Sequence, residues 1–137
     1  MKWLKMIGIG LAVALVVLAV GYLWGAQGRS AAEAKLTAGE RRWVVTDARR
    51  EALAGSVDVY KLNFGAAASH FESARGQAEK AAQLMSGSSV ADAPARLTAV
   101  AKQLDDARAL AARVDQAAGQ KAAAAVAELD KIAALLP

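Results

Sequence analysis

His70 is the one histidine in the 137-residue chain, and there is no cysteine. A zinc finger, an iron–sulfur protein, a disulfide scaffold and a cysteine nucleophile are therefore excluded. Ser69, His70 and Glu72 bring a hydroxyl, an imidazole and a carboxylate together along the sequence. On a helix, however, residues one or two positions apart do not face each other, so they cannot form a nucleophile–base–orienter relay. His70 is expected instead to flank a helix seam, solvated or bonded to one neighbour. Asp105 and Asp106 are consecutive and diverge by about 100° on a helix. With Asp115 nearby they lack the oxygen-rich loop a hard cation needs, and a solvated face is expected, as for Glu128, Asp130 and Lys131. No phosphate-cradling glycine loop or dinucleotide fingerprint is present. These absences predict a non-enzyme with no cofactor, no metal and no small-molecule substrate.

Arg41-Arg42 and Arg49-Arg50 lie eight positions apart and share a helix face. With Trp43 beside them they fit a contact to lipid head groups or to an acidic partner. A solvated face that keeps the helix soluble fits them equally. The charge is unevenly spread. Residues 1–28 carry two lysines and no acid, residues 29–50 carry six basic and three acidic residues, and residues 51–137 carry nine basic and ten acidic ones. The net charge of +4 thus belongs to the first third, next to its apolar stretch. A nucleic-acid partner, which needs a basic face on the folded domain, is not expected.

The elements that place these residues begin with an anchor. Met6 to Trp24 contains no charged side chain, and about 20 apolar residues span a bilayer as a helix. Trp3 stands at one end and Tyr22 and Trp24 at the other, about 31 Å apart at 1.5 Å per residue. Such rings favour the two membrane interfaces. Ala26-Gln27-Gly28 offers a small-x-small cleavage site, but the apolar run exceeds the h-region of about 7–15 residues in a signal peptide. A retained anchor over residues 1–28 is therefore expected. The short tail with Lys2 and Lys5 resists translocation, which predicts a bacterial inner-membrane protein with its C-terminal domain in the periplasm. The basic residues after Trp24 pull the other way. Gly10, Ala14, Gly21 and Gly25 place small residues along one broad stripe, which suits close packing against another transmembrane helix.

Beyond the anchor, 36 alanines against 11 glycines and 2 prolines favour helix throughout. A basic juxtamembrane segment is read over 29–42 and a helical domain over 43–137. From the basic segment into that domain, Leu36, Trp43, Arg50, Val57 and Phe64 recur at sevens, with Gly39, Thr46, Leu53 and Tyr60 between. Asn63-Phe64-Gly65 reads as a tight helix–helix connection. Phe64, Ala67, Phe71, Ala74, Ala78, Ala81 and Met85 then repeat at threes and fours as one apolar stripe. Trp43, Tyr60, Phe64 and Phe71 are the expected core of this first hairpin, residues 43–85. A polar loop over 86–93 ends at Pro94, which is placed to open a helix. Leu97, Ala101, Leu104, Ala107, Ala111, Val114 and Ala118 form the next stripe, with Gly119 a C-cap or a kink. Ala122, Val126, Leu129, Ala133 and Leu136 form the last. The expected fold is all-α: one transmembrane helix followed by an Ala-rich antiparallel bundle of about four helices in two hairpins, 43–85 and 94–136.

Within residues 51–83, Gly55, Phe64, Ala67, Phe71 and Ala74 fall on the small and aromatic positions of a tetratricopeptide repeat, and the segment resembles one hairpin of that family. Glu51, Asp58 and Glu79 stand where the family has Trp, Tyr and Pro. The resemblance implies a helical hairpin used for protein–protein contact and implies no catalysis. The function expected from the whole sequence is that of a non-catalytic, single-pass accessory or scaffold subunit in a larger membrane assembly of respiratory or photosynthetic type. Its partners would be the bilayer and other membrane subunits, or a second copy. The alternative is a freestanding envelope adaptor built on the tetratricopeptide-like domain.

Overall fold

The computed structural model describes the backbone of residues 2–88, 90 and 92–136, and the side chains of residues 15–18 and, within that backbone, of those from 32 onward. The described residues form four helices: α1 Lys2–Tyr60, α2 Phe64–Leu84, α3 Ala93–Ala112 and α4 Ala117–Ala134. They contain no strand. The chain divides into two compact units, Met1–Thr37 and Ala38–Pro137. The first is helical from Lys2, and Leu15 to Leu18 are exposed. Among the described residues no helix is long and apolar enough to cross a membrane. Apart from Leu15–Leu18, the anchor read over Met6–Trp24, with Trp3, Gly10, Ala14, Gly21, Tyr22, Trp24 and Gly25, lies outside the described side chains.

The second unit is an up-down-up-down bundle. Glu40 reaches Lys80 and Arg41 reaches the end of α2, whereas Asp58 meets His70 near its start, so α1 and α2 run antiparallel. Glu72 pairs with Arg108 and Arg96 with Glu128, which sets α2 against α3 and α3 against α4 in the same alternating sense. Arg49 pairs with Asp130, and Gly119 faces Val59, so α4 returns onto α1 and closes the ring. Two hairpins are therefore joined into one closed set rather than an open stack.

The core is thin because alanine builds most of it. Ala67, Phe71, Ala74, Ala78, Ala81 and Met85 are all fully buried, as their three-and-four spacing predicts, and Phe64 packs at the edge. The α1 stripe is corrected. Trp43 is 58% exposed and Tyr60 90% exposed, while Val44, Val45, Ala48, Ala52 and Val59 are buried. The sevenfold series of large residues faces outward. The inward series is made of small ones, because α1 approaches α2 closely where Gly55 meets the Phe71 ring.

Both tight turns end their helices with a non-glycine residue in the left-handed region. Leu62 has φ 60° and Val114 has φ 59°. Asn63 N donates to Asp58 O at 2.8 Å and Leu62 N to Val59 O at 3.0 Å. Asp115 N donates likewise to Leu110 O and Val114 N to Ala111 O. Both are Schellman closures, which satisfy the last carbonyls of a helix. Asn63 then caps α2 through its side chain, and Asp115 Oδ1 accepts from Ala117 N at 2.9 Å. Gly119 is neither C-cap nor kink. It lies in the first turn of α4, and α3 stops at Ala112 because Val114 takes the capping conformation. Val114 consequently leaves its expected stripe and is 67% exposed. A β-branched residue there costs about 1–2 kcal/mol over glycine. Val114→Gly should therefore raise stability by about 1 kcal/mol, read as a higher denaturation midpoint.

Candidate functional site

His70 sits between two carboxylates of α1. Its Nδ1 lies 2.8 Å from Glu51 Oε2 and its Nε2 lies 3.4 Å from Asp58 Oδ2. Glu51 and Asp58 are seven apart, so they lie on one face of α1 about two turns from each other. The expectation of one neighbour at most is corrected: both ring nitrogens are engaged, across helices. A ring held from both edges cannot draw a proton from Ser69, which is exposed beside it. The carboxylates also flank opposite edges of the ring and do not converge on one point. Among the described residues no group of three potential ligands could hold a metal.

The hydrogen bond from His70 holds the Glu51 carboxyl below its ordinary range; partial burial opposes this, and Arg50 reinforces it. A depressed folded value means the unfolded chain binds more protons as the pH falls, so stability rises with pH through that window. This contribution is present above the ordinary carboxyl value of 4.5 and is lost as the pH drops through the lowered one. Urea midpoints between about pH 3 and pH 6 should climb less steeply in Glu51→Gln than in the parent.

The four arginines separate into different environments. Arg41 Nε donates to Leu84 O at 2.9 Å and closes the end of α2. Arg49 pairs with Asp130 across to α4. Arg50 Nη2 lies 2.6 Å from Asp47 and 3.2 Å from Glu51. Arg42 is exposed. Half of the shared basic face, Arg41 and Arg49, ties α1 to its neighbours, and Arg42 and Arg50 are the members left on the outside. The acids are engaged as well. Asp105 meets Arg75 and Arg108, Asp106 meets Lys121, and Glu128 meets Arg96 and Lys131. The Arg96 hydrogen bond lowers the Glu128 carboxyl in the same sense as His70 acts on Glu51. Such partly exposed pairs contribute at most about 1 kcal/mol each, and their service here is to set register between helices.

Shallow open grooves lie on the bundle, and two of them are the larger candidates. One of about 400 Å³ is lined by Ser56, Val59, Tyr60, Gln116, Gly119 and Gln120. A second, of about 470 Å³, runs between α2 and α3 beside Arg75, Glu79, Lys102 and Asp105. The Ser56 hydroxyl already donates to Ala52 O at 3.0 Å, and the charges of the second groove include the Arg75–Asp105 pair. Neither groove presents the enclosed apolar walls with convergent polar groups that mark a ligand site.

The feature without an internal partner is the outer face of α1. Trp43, Leu53, Val57 and Tyr60 are large, apolar and exposed along it, with Thr46 and Arg50 between them. Spacing puts these residues on one face of the helix, and their exposure turns it away from the core. The chain matches no family model, no curated protein and no solved structure. The tetratricopeptide likeness reduces to a packing rule visible here, a glycine on one helix facing an aromatic ring on the next.

Proposed function

We propose that the chain is a non-catalytic, single-pass membrane protein that works as a scaffold subunit through protein–protein contact. The outer face of α1 carries this reading. A monomer with its own core rarely exposes so many large apolar side chains in one row, and such rows mark interaction surfaces. The uncharged run Met6–Trp24 has the length of a bilayer span and interface aromatics at both ends, which supports anchorage beside other membrane subunits. Two lysines before it support an orientation with the bundle on the far side of a bacterial inner membrane, against the pull of the basic residues that follow Trp24. The engaged state of His70, the acids and the grooves supports a role outside catalysis.

An alkaline carbonate wash of native membranes tests the placement. The full chain is expected to stay in the pellet, and a variant lacking residues 6–24 is expected in the supernatant. Release of the full chain by the wash would contradict anchorage.

A further inference from the structure

The charges of α1 are sorted by face. Glu40, Asp47, Glu51 and Asp58 recur at sevens and fours along the flank toward α2, where Glu40 meets Lys80 and both Glu51 and Asp58 meet His70. Asp47 is buried and holds Arg50 of its own helix. Between Arg42 and Lys61 no acidic residue of α1 is exposed, whereas Arg42, Arg50 and Lys61 all are. Arg41 and Arg49 are tied to other helices, but the side chains of Arg42 and Lys61 enter no ion pair among the described residues. Arg50 makes both its bonds through Nη2 and stays 72% exposed, so the rest of its donor fork is open to a partner. Along the same face Trp43, Thr46, Arg50, Leu53, Val57 and Tyr60 recur at threes and fours, the spacing of a seam along which a second helix packs.

We propose that this face binds an acidic amphipathic helix of another protein. Its apolar side chains would cover Trp43, Leu53, Val57 and Tyr60, and its carboxylates would meet Arg42, Arg50 and Lys61. The proposal rests on the scaffold reading above and names the chemistry of the partner. Trp43 to Tyr60 extends about 26 Å, room for a partner helix of several turns. A second copy of the chain is disfavoured by the same charges. In a parallel pair Arg50 would face Arg50, and in an antiparallel pair Arg42 would fall beside Lys61, and like charges across a seam are costly. A lipid surface is disfavoured by Thr46 and Arg50, which sit within the apolar row and would enter the acyl region unpaired. A facing carboxylate offsets that cost.

The test places a photo-reactive phenylalanine in the full chain at Leu53 or Val57, and at Ser73 or Ala124 as exposed controls on other faces. Native membranes are irradiated and the cross-linked peptides identified by mass. Leu53 and Val57 are expected to label one segment of another protein, rich in Asp and Glu and with apolar residues at threes and fours, that the controls do not label. Arg42→Glu combined with Lys61→Glu should cut that yield by about tenfold with an unchanged melting temperature. A labelled segment without an acidic excess would overturn the proposal, as would a yield indifferent to the charge reversal. An adduct of twice the 14.1 kDa chain mass, adducts to lipid alone, or no adduct at either seam position would overturn it too. Membrane-protein companions at constant ratio without seam adducts would refute the acidic helix and leave the scaffold reading standing. Acidic-segment adducts on a chain that carbonate releases would uphold the acidic helix and refute the anchor.

Discussion

Phe71→Ala should cost about 3–5 kcal/mol, the range for deleting a fully buried ring. Phe71 is the largest fully buried side chain in the bundle, and its neighbours along α2 are alanines. Alanine seams cannot collapse into the space, because a methyl has no further reach and each backbone is already in close contact. The lost burial is thus joined by a persistent cavity. A domain of this size holds about 5–15 kcal/mol in all, so the variant would give up much of its reserve. Thermal melting of the detergent-solubilised full chain should shift down by roughly 15 °C or more. A shift of a few degrees would show that the α1–α2 seam is not where the stability resides.

Gly55→Ala should also destabilise, against its helix propensity. Alanine gains about 1 kcal/mol over glycine inside a helix. Here its Cβ would lie 2.5 Å from Phe71 Cε1 and 2.7 Å from Cδ1, and the ring is fully buried. Either the ring leaves its rotamer or α1 and α2 separate, and overpacking of this kind costs about 1–3 kcal/mol. The net expectation is a loss of up to about 2 kcal/mol. Gly55→Ala combined with Phe71→Leu should be less destabilised than the sum of the two single variants, since the shorter side chain vacates the clash. Additive losses would sink the contact as the reason for the glycine.

Most of the bundle was legible. The stripe on α2 selects its buried residues from Ala67 to Met85. On α3 it holds from Leu97 to Ala111 but omits the buried Val100. On α4 Ala122, Val126, Leu129 and Leu136 are buried, while Ala133 is half-buried and Ala125 is an unforeseen core residue. The first helix has two apolar faces. Size drew attention to Trp43, Val57 and Tyr60, whereas burial went to Val44, Ala48, Ala52 and Gly55. A helix that must come close to its neighbour turns its small residues inward, and that preference is a property of the pair. Gly119 misled for another reason. A Cβ there would meet Val59 at an ordinary 3.5 Å, so the packing does not call for glycine, and the turn itself was made by Val114 and capped by Asp115.

The His70 clamp was not legible. Glu51 and Asp58 drew notice only as departures from the repeat family's Trp and Tyr positions. Their meeting with His70 depends on the register of α1 against α2, which spacing along either helix does not contain. The same holds for Arg49 and Asp130, which lie 81 positions apart. Long-range ion pairs of this kind define the order of helices around the ring. They contribute little energy individually and much information about which neighbour is the right one.

The most direct test of the scaffold reading is the mass and composition of the particle. The full chain is extracted from native membranes in mild detergent, its protein mass is measured by light scattering, and its companions are identified by their peptides. The expected result is a particle of this chain with membrane-protein companions at constant ratio. A 14.1 kDa monomer without companions would contradict it.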